Sequence, residues 1–325
     1  MRRREFLIGA AAAAGLVSAR RTLAQARDEV KLRRVAIMSL CFGSILKNPN
    51  QPDNAARTLD IMDIGQMYAD RYGVHNIEMQ HSHFLSTEPS YFKEFLDRLA
   101  KTKSQVTNIN LEFGGAQTIT APEAAGRQQA LERTKQWIDY AVMLGCPRIM
   151  VNQGSPTREN KAVGVETLKA MGEYGKSKKI MVAMENRGGG GGRGRGAGTG
   201  GAAAPGAPTA PPDPAPAAPA GPPPEAAWVL LVEIIKESGT LANCDIGNFP
   251  DQVTQHAGMR AMFPLTDGNC HVKINPARYD LPAALALTKE LGYTGLYSIE
   301  SGGGAGAADP HENVQRIYDV LLANM

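Results

Sequence analysis

From Val30 onward the chain repeats one pattern: a short apolar run, a polar turn, an amphipathic segment, a glycine, then another apolar run. This alternation constrains the fold more than any other feature. The runs predict eight strands, at Val35–Leu40, Asn76–Gln80, Gln105–Glu112, Arg148–Asn152, Ile180–Glu185, Leu241–Ile246, Cys270–Ile274 and Leu296–Glu300. The segments between them carry helix signals. Thr120-Ala121-Pro122-Glu123 has the pattern of a capping box, with Thr120 as N-cap, and predicts a helix that Gly145 ends. Asp309 followed by Pro310 predicts the start of the last helix. That helix should bury one stripe of Val314, Ile317, Tyr318, Leu321 and Leu322. Asp280 precedes a further helix that ends at Gly292.

Strands that alternate with helices pair in parallel through right-handed crossovers. Eight such units predict an α/β protein of the (β/α)8 barrel type. A doubly wound open sheet is the alternative. It would carry a glycine-rich phosphate turn after its first strand, and Leu40-Cys41-Phe42-Gly43-Ser44 is not such a turn.

Composition matters once it is divided. The chain has 325 residues with 35 Gly, 21 Pro and a net charge of +3. A window from Arg187 to Ala226 holds 12 of the glycines and 10 of the prolines. Such a segment cannot build a core and predicts disorder, inserted after the fifth strand. Two readings are open for it, a neutral insertion or a lid or partner-binding segment. The first 26 residues hold five Arg and one Glu, so they account for the basic balance. Arg3-Arg4 with Phe6-Leu7, a mild apolar stretch and Leu23-Ala24-Gln25-Ala26 predict an export signal of the twin-arginine type. An ordinary secretion signal or a membrane anchor is the alternative. The expectation is a signal over 1–26, a periplasmic location, and a barrel over 27–325 interrupted at 187–226. No basic domain points to nucleic acid, and no later apolar run approaches the roughly 18 residues of a membrane span. Cys41, Cys146, Cys244 and Cys270 form no CxxC pair and read as small apolar residues in or beside strands.

Four successive strands end in strong metal-ligand types: Glu185, Asp245, His271 and Glu300. Side chains alternate along a strand. Glu185 therefore shares a face with Ala183, and His271 with Lys273, while Val182, Met184, Cys270, Val272 and Ile274 point outward. Three carboxylates and an imidazole converging on a barrel mouth would repel or shift one another unless a divalent cation lay between them. Singly, an acidic residue at a strand end is commonly a cap or a surface charge; four in a row are more specific.

These residues resemble the xylose isomerase-like TIM barrels, the sugar phosphate isomerase/epimerase superfamily, and most nearly its single-metal branch. The matching stretches are Met184-Glu185-Asn186, Asp245-Ile246-Gly247-Asn248, His271-Val272-Lys273, and Gly292-Tyr293-Thr294-Gly295 leading into Ile299-Glu300. The resemblance implies that Glu185, Asp245, His271 and Glu300 bind one divalent ion, Mn, Zn, Co or Mg. It implies substrate contacts from Asn248, where the epimerases often carry His, and from Arg278, one residue off the usual spacing. Lys273 is expected at the substrate, as are Asn152, Glu112 and Gln153 at strand ends. Glu78 and Gln80 should point inward from the second strand. His81 and His83 are open to two readings, a second metal site or a polar loop at the substrate. Trp137 and Trp228 read as core.

The activity implied is isomerisation or epimerisation of a keto-sugar or polyol through an enediolate, with Glu185 and Glu300 exchanging protons. A lyase or dehydratase acting on 3-keto-glycosides or inososes is the alternative, and a non-catalytic sugar-binding barrel is a third. A nucleophile elbow is lacking. The ligand expected is a small carbohydrate, and relatives of this kind often form homo-oligomers.

Overall fold

A computed structural model describes residues 29–114, 116–187, 225–302 and 309–325. The predicted leader and residues 188–224 of the low-complexity window lie outside these. Eight strands alternate with eight main helices: β1 (Val35–Met38), α1 (Ile64–Tyr72), β2 (Asn76–Gln80), α2 (Pro89–Lys101), β3 (Gln105–Leu111), α3 (Ala124–Met143), β4 (Arg148–Val151), α4 (Lys161–Ser177), β5 (Met181–Glu185), α5 (Ala227–Ser238), β6 (Leu241–Asp245), α6 (Gln252–Met262), β7 (Thr266–Val272), α7 (Leu281–Glu290), β8 (Leu296–Ile299) and α8 (Pro310–Asn324). All strand pairs are parallel, and β1 closes the sheet onto β8. The fold is the expected (β/α)8 barrel.

Apolar side chains fill the space between the sheet and the helices. Ile37, Ile77, Ile109, Ile149, Val182, Cys244, Cys270 and Ile299 come from the outer face of the strands and are buried in one core. Helix α2 answers with Phe92, Phe95 and Leu99, spaced to share one stripe. Truncating Phe95, which is fully buried, would cost about 3–5 kcal/mol. The four cysteines are buried free thiols. Trp137 is buried in this core and Trp228 is packed against it.

Several ends differ from the sequence expectation. Strand β1 stops at Met38 because Ser39–Phe42 turn into a 3-10 helix, where the Ser39 hydroxyl accepts from the Gln80 backbone N–H at 2.8 Å. Strand β7 starts at Thr266, four residues early, through a kink at Gly268 with φ +86°. Thr266-Asp267-Gly268 reads locally as a turn, and side chains do brace it: the Thr266 hydroxyl accepts from Gly268 N–H and Asp267 Oδ1 from Asn269 N–H. The Thr120 capping box does not form. Helix α3 begins at Ala124 without a side-chain cap, because the Thr120 hydroxyl is taken by the Ser155 N–H after β4. Asp309 does cap α8, accepting from His311 N–H. Among the described residues, no helix is long and apolar enough to cross a membrane.

Candidate metal centre

The inner face of the barrel is polar, and contacts across the lumen show which residues point inward. Strands β2 and β7 are not neighbours in the sheet. Yet Asn269 Nδ2 donates to Glu78 Oε2 at 3.0 Å, and His271 Nε2 lies 2.8 Å from Glu78 Oε1. His271 and Asp245 are paired across β6 and β7, and β5 and β8 deliver Glu185 and Glu300 at their ends. The four residues Glu185, Asp245, His271 and Glu300 each offer a ligand atom, and these atoms lie within 4.8 Å of one another. The first three are buried and Glu300 is the most open, with its side chain 13% exposed.

Each of the four side chains is held by its surroundings. His271 Nδ1 lies 3.1 Å from Glu185 Oε1 and 3.2 Å from Glu300 Oε2. Asp245 Oδ1 accepts from Gly247 N–H at 2.7 Å, which closes the short turn after β6. Lys273 Nζ lies 2.5 Å from Asp245 Oδ2 and 3.0 Å from Glu300 Oε1, and donates to Asn248 Oδ1 at 3.2 Å. Asn248 in turn donates to the Asn186 carbonyl at 2.9 Å and, at 3.4 Å, to Glu185 Oε1. Two side-chain amides clasp backbone on the next strand. Asn186 accepts from Asp245 N–H and donates to the Asp245 carbonyl. Gln153 does the same for Arg187.

Electrostatics follow from this crowding. Burial pushes the Asp245 carboxyl up to about 7, with only partial relief from Lys273. Burial would raise Glu185 too, but the His271 contact and the charges of Arg187, His271 and Lys273 outweigh it and hold Glu185 well below the carboxylate range. Glu300 is likewise lowered, burial being overcome by Lys273 and His271. Burial opposes charge on His271, yet Glu78, Glu185 and Glu300 raise it far above the ordinary histidine value. Asp245 Oδ2 and Glu300 Oε2 are buried without an aligned hydrogen-bond partner. Three carboxylates and one imidazole with two such oxygens suit a divalent cation that prefers mixed oxygen and nitrogen ligands.

The other expected residues are spread more widely. Lys273 and Asn248 sit against the cluster. Glu78 is inward-facing but fully buried beneath it, with His271 and Asn269 on its oxygens. Asn152 turns its side chain back to Gly154 N–H. His83 Nδ1 lies 2.9 Å from the Ser39 hydroxyl, and burial, with nearby charge from His81 and Arg57, takes its pKa down to about 4. His81 bonds the β3 backbone through Nδ1, within reach of the Glu112 N–H and the Asn110 carbonyl. Arg278 is exposed in the turn after β7. Arg187 is the residue that sequence reasoning missed. Its Nε donates to Glu185 Oε2 at 3.1 Å and its Nη1 to Glu112 Oε1 at 2.7 Å. Its position two residues after Glu185 was a signal, masked by the low-complexity window it opens.

Residues 68–196 match the family described as xylose isomerase-like TIM barrel. No curated protein matches the sequence. Among solved structures, a D-allulose 3-epimerase from Methylomonas sp., in complex with D-allulose, is 13% identical, with 90% of this chain and 98% of that chain covered at a TM-score of 0.60. A 3-keto-D-glucoside 4-epimerase from E. coli, in its apo form, is 12% identical, with 90% and 99% covered at 0.59. A probable 3-DHS dehydratase from Bacillus anthracis is 12% identical, with 89% and 98% covered at 0.57. At such identities the likeness is one of fold.

Proposed function

We propose that this chain is a divalent-metal-dependent isomerase or epimerase of an uncharged keto-sugar or related polyol. The observation that carries the reading is the cluster of Glu185, Asp245, His271 and Glu300 at the C-terminal ends of β5 to β8, the face on which barrels of this type carry out chemistry. Those four residues would hold the ion, and when bound it would supply Lewis-acid polarisation of a substrate carbonyl. The C–H beside that carbonyl then becomes acidic.

Glu300 is the better placed of the two glutamates to take that proton. It is the most open of the four, whereas Glu185 is held by Arg187 on Oε2 and by Asn248 on Oε1. Lys273 would stabilise negative charge on the enediolate oxygen, and Asn248 would orient a hydroxyl. Among the described residues at the mouth, Arg187 and Lys273 are already matched to carboxylates. Neither of these two cations, which touch the cluster, is left over for a phosphate or carboxylate on the substrate, and Arg278 stands apart in the exposed turn after β7; an uncharged sugar fits this arrangement.

A lyase or dehydratase shares the same first step and differs in expelling a group from the β-carbon. The fold likeness to a probable dehydratase keeps that reading as the second one. The leader supports a periplasmic site of action, where unphosphorylated, glycoside-derived sugars are suitable substrates.

The test is solvent-deuterium exchange into a panel of unphosphorylated keto-sugars and 3-keto-glycosides. Exchange without net cleavage is the expected result, and Glu300→Gln should abolish it. Loss of water or aglycone would assign the lyase. No exchange with any sugar would favour a binding protein and contradict an enzyme.

A further inference from the structure

We propose that Glu78 is a positioning residue for the metal centre: it holds the Nε2–H of His271 so that the imidazole presents Nδ1 to the ion. The proposal rests on the metal-site reading above and goes beyond it, because Glu78 lies on β2, away from the four strands that supply ligands.

The geometry points one way. His271 Nδ1 faces Glu185 Oε1 and Glu300 Oε2, at 3.1 and 3.2 Å. Nε2 faces the opposite direction, 2.8 Å from Glu78 Oε1. An imidazole that binds a metal through one nitrogen carries its proton on the other, and a carboxylate there fixes both tautomer and ring orientation. Glu78 and His271 are both fully buried, so no solvent competes for that proton. The second Glu78 oxygen accepts from Asn269 Nδ2 at 3.0 Å, which stops the carboxylate from rotating away.

A neighbouring side chain fits the same tautomer. Asn243 Nδ2 lies 3.1 Å from His271 Nε2, while Asn243 Oδ1 is buried without a partner. With the proton on Nε2, two donors would face each other. Turning the amide by half a turn removes that conflict and brings Oδ1 to Nε2–H as a second acceptor. Glu78 and Asn243 then form a two-sided acceptor beneath the histidine.

This reading also changes the expectation that Glu78 touches substrate. The side chain lies beneath His271, and both its oxygens have partners within the barrel. Its effect on the reaction would run through the histidine.

The experiment is a titration of metal-free full-length protein with Mn²⁺, followed by electron paramagnetic resonance, for wild type, Glu78→Gln and Glu78→Leu. Glutamine keeps an acceptor without the charge, and leucine keeps neither. The expected result is Mn²⁺ affinity reduced about tenfold in Glu78→Gln and about a hundredfold in Glu78→Leu. A purely structural role would lower the melting temperature of the metal-free variants and leave the Mn²⁺ affinity of the folded protein unchanged; that outcome overturns the proposal. Wild type that takes up no Mn²⁺ would overturn the metal-site reading itself, so the two failures are distinguishable. A second measurement needs no variant to fold. In Zn²⁺-loaded wild type carrying ¹⁵N-histidine, His271 should show its proton on Nε2, with a low-field resonance. A proton on Nδ1 would overturn the assignment.

Discussion

Arg187 Nε stands 3.1 Å from Glu185 Oε2, with one residue between them in the chain. The same guanidinium reaches Glu112 of the β3 end, and Gln153 pins the Arg187 backbone on both its N–H and its carbonyl. Arg187 therefore joins three strand ends around one metal-ligand candidate.

Arg187→Met should leave Glu185, whose side chain is only 3% exposed, without its main counter-charge outside the cluster. Stranding a buried carboxylate is costly, although Arg187 itself is 35% exposed and partly screened. We expect the metal-free protein to lose about 2 kcal/mol in urea unfolding. Arg187→Lys should recover only part of this, because a single ammonium cannot reproduce the fork that bridges two carboxylates. Equal stability of all three proteins would contradict the brace.

Gly247 lies in the turn that Asp245 caps, and a Cβ there would come within 2.8 Å of Lys273 Cβ and Cδ. Those atoms form the stem of Lys273 and its near end cannot swing away. Gly247→Ala should displace the ammonium from Asp245 and Glu300. The expected outcome is a loss of about 1–3 kcal/mol of stability with at least a tenfold fall in deuterium exchange, about 1.4 kcal/mol or more in the barrier. Unchanged exchange would remove the Lys273 position from the mechanism.

Asp267 lies at the start of β7, and burial pushes its carboxyl up to about 7, the charge of Arg148 only partly offsetting this. The folded protein then keeps this proton between about pH 4 and 7, whereas the unfolded chain loses it near 3.9. More protons are bound in the folded state across that window, so stability contributed by this group falls as pH rises through it. Relative to Asp267→Asn, the wild type should lose about 3 kcal/mol between pH 4 and pH 7. Chemical denaturation of both proteins at several pH values checks this, and a pH-independent difference would contradict it.

The sequence made the barrel legible because strand runs, glycine stops and helix caps agree along most of its length. The Glu185, Asp245, His271 and Glu300 set was legible for a related reason: four strand ends of one sheet must converge. Features that depend on contacts far apart in the chain were not. Thr120 reads as a cap until Ser155 claims its hydroxyl. Glu78 reads as a mouth residue until His271 and Asn269, some 190 positions later, lie on its two oxygens. Arg187 was hidden differently, because glycine and proline follow it so densely that it reads as the first residue of the insertion.

The central claim is that Glu185, Asp245, His271 and Glu300 form one divalent-metal site. Its most direct test is metal content and Mn²⁺ uptake of the purified protein, beside Asp245→Asn and His271→Gln. One tightly held ion per chain in the wild type, lost in both variants, is the predicted result. Less than about a tenth of an equivalent, with no uptake of added Mn²⁺, would contradict it, since a single occupied site binds stoichiometrically.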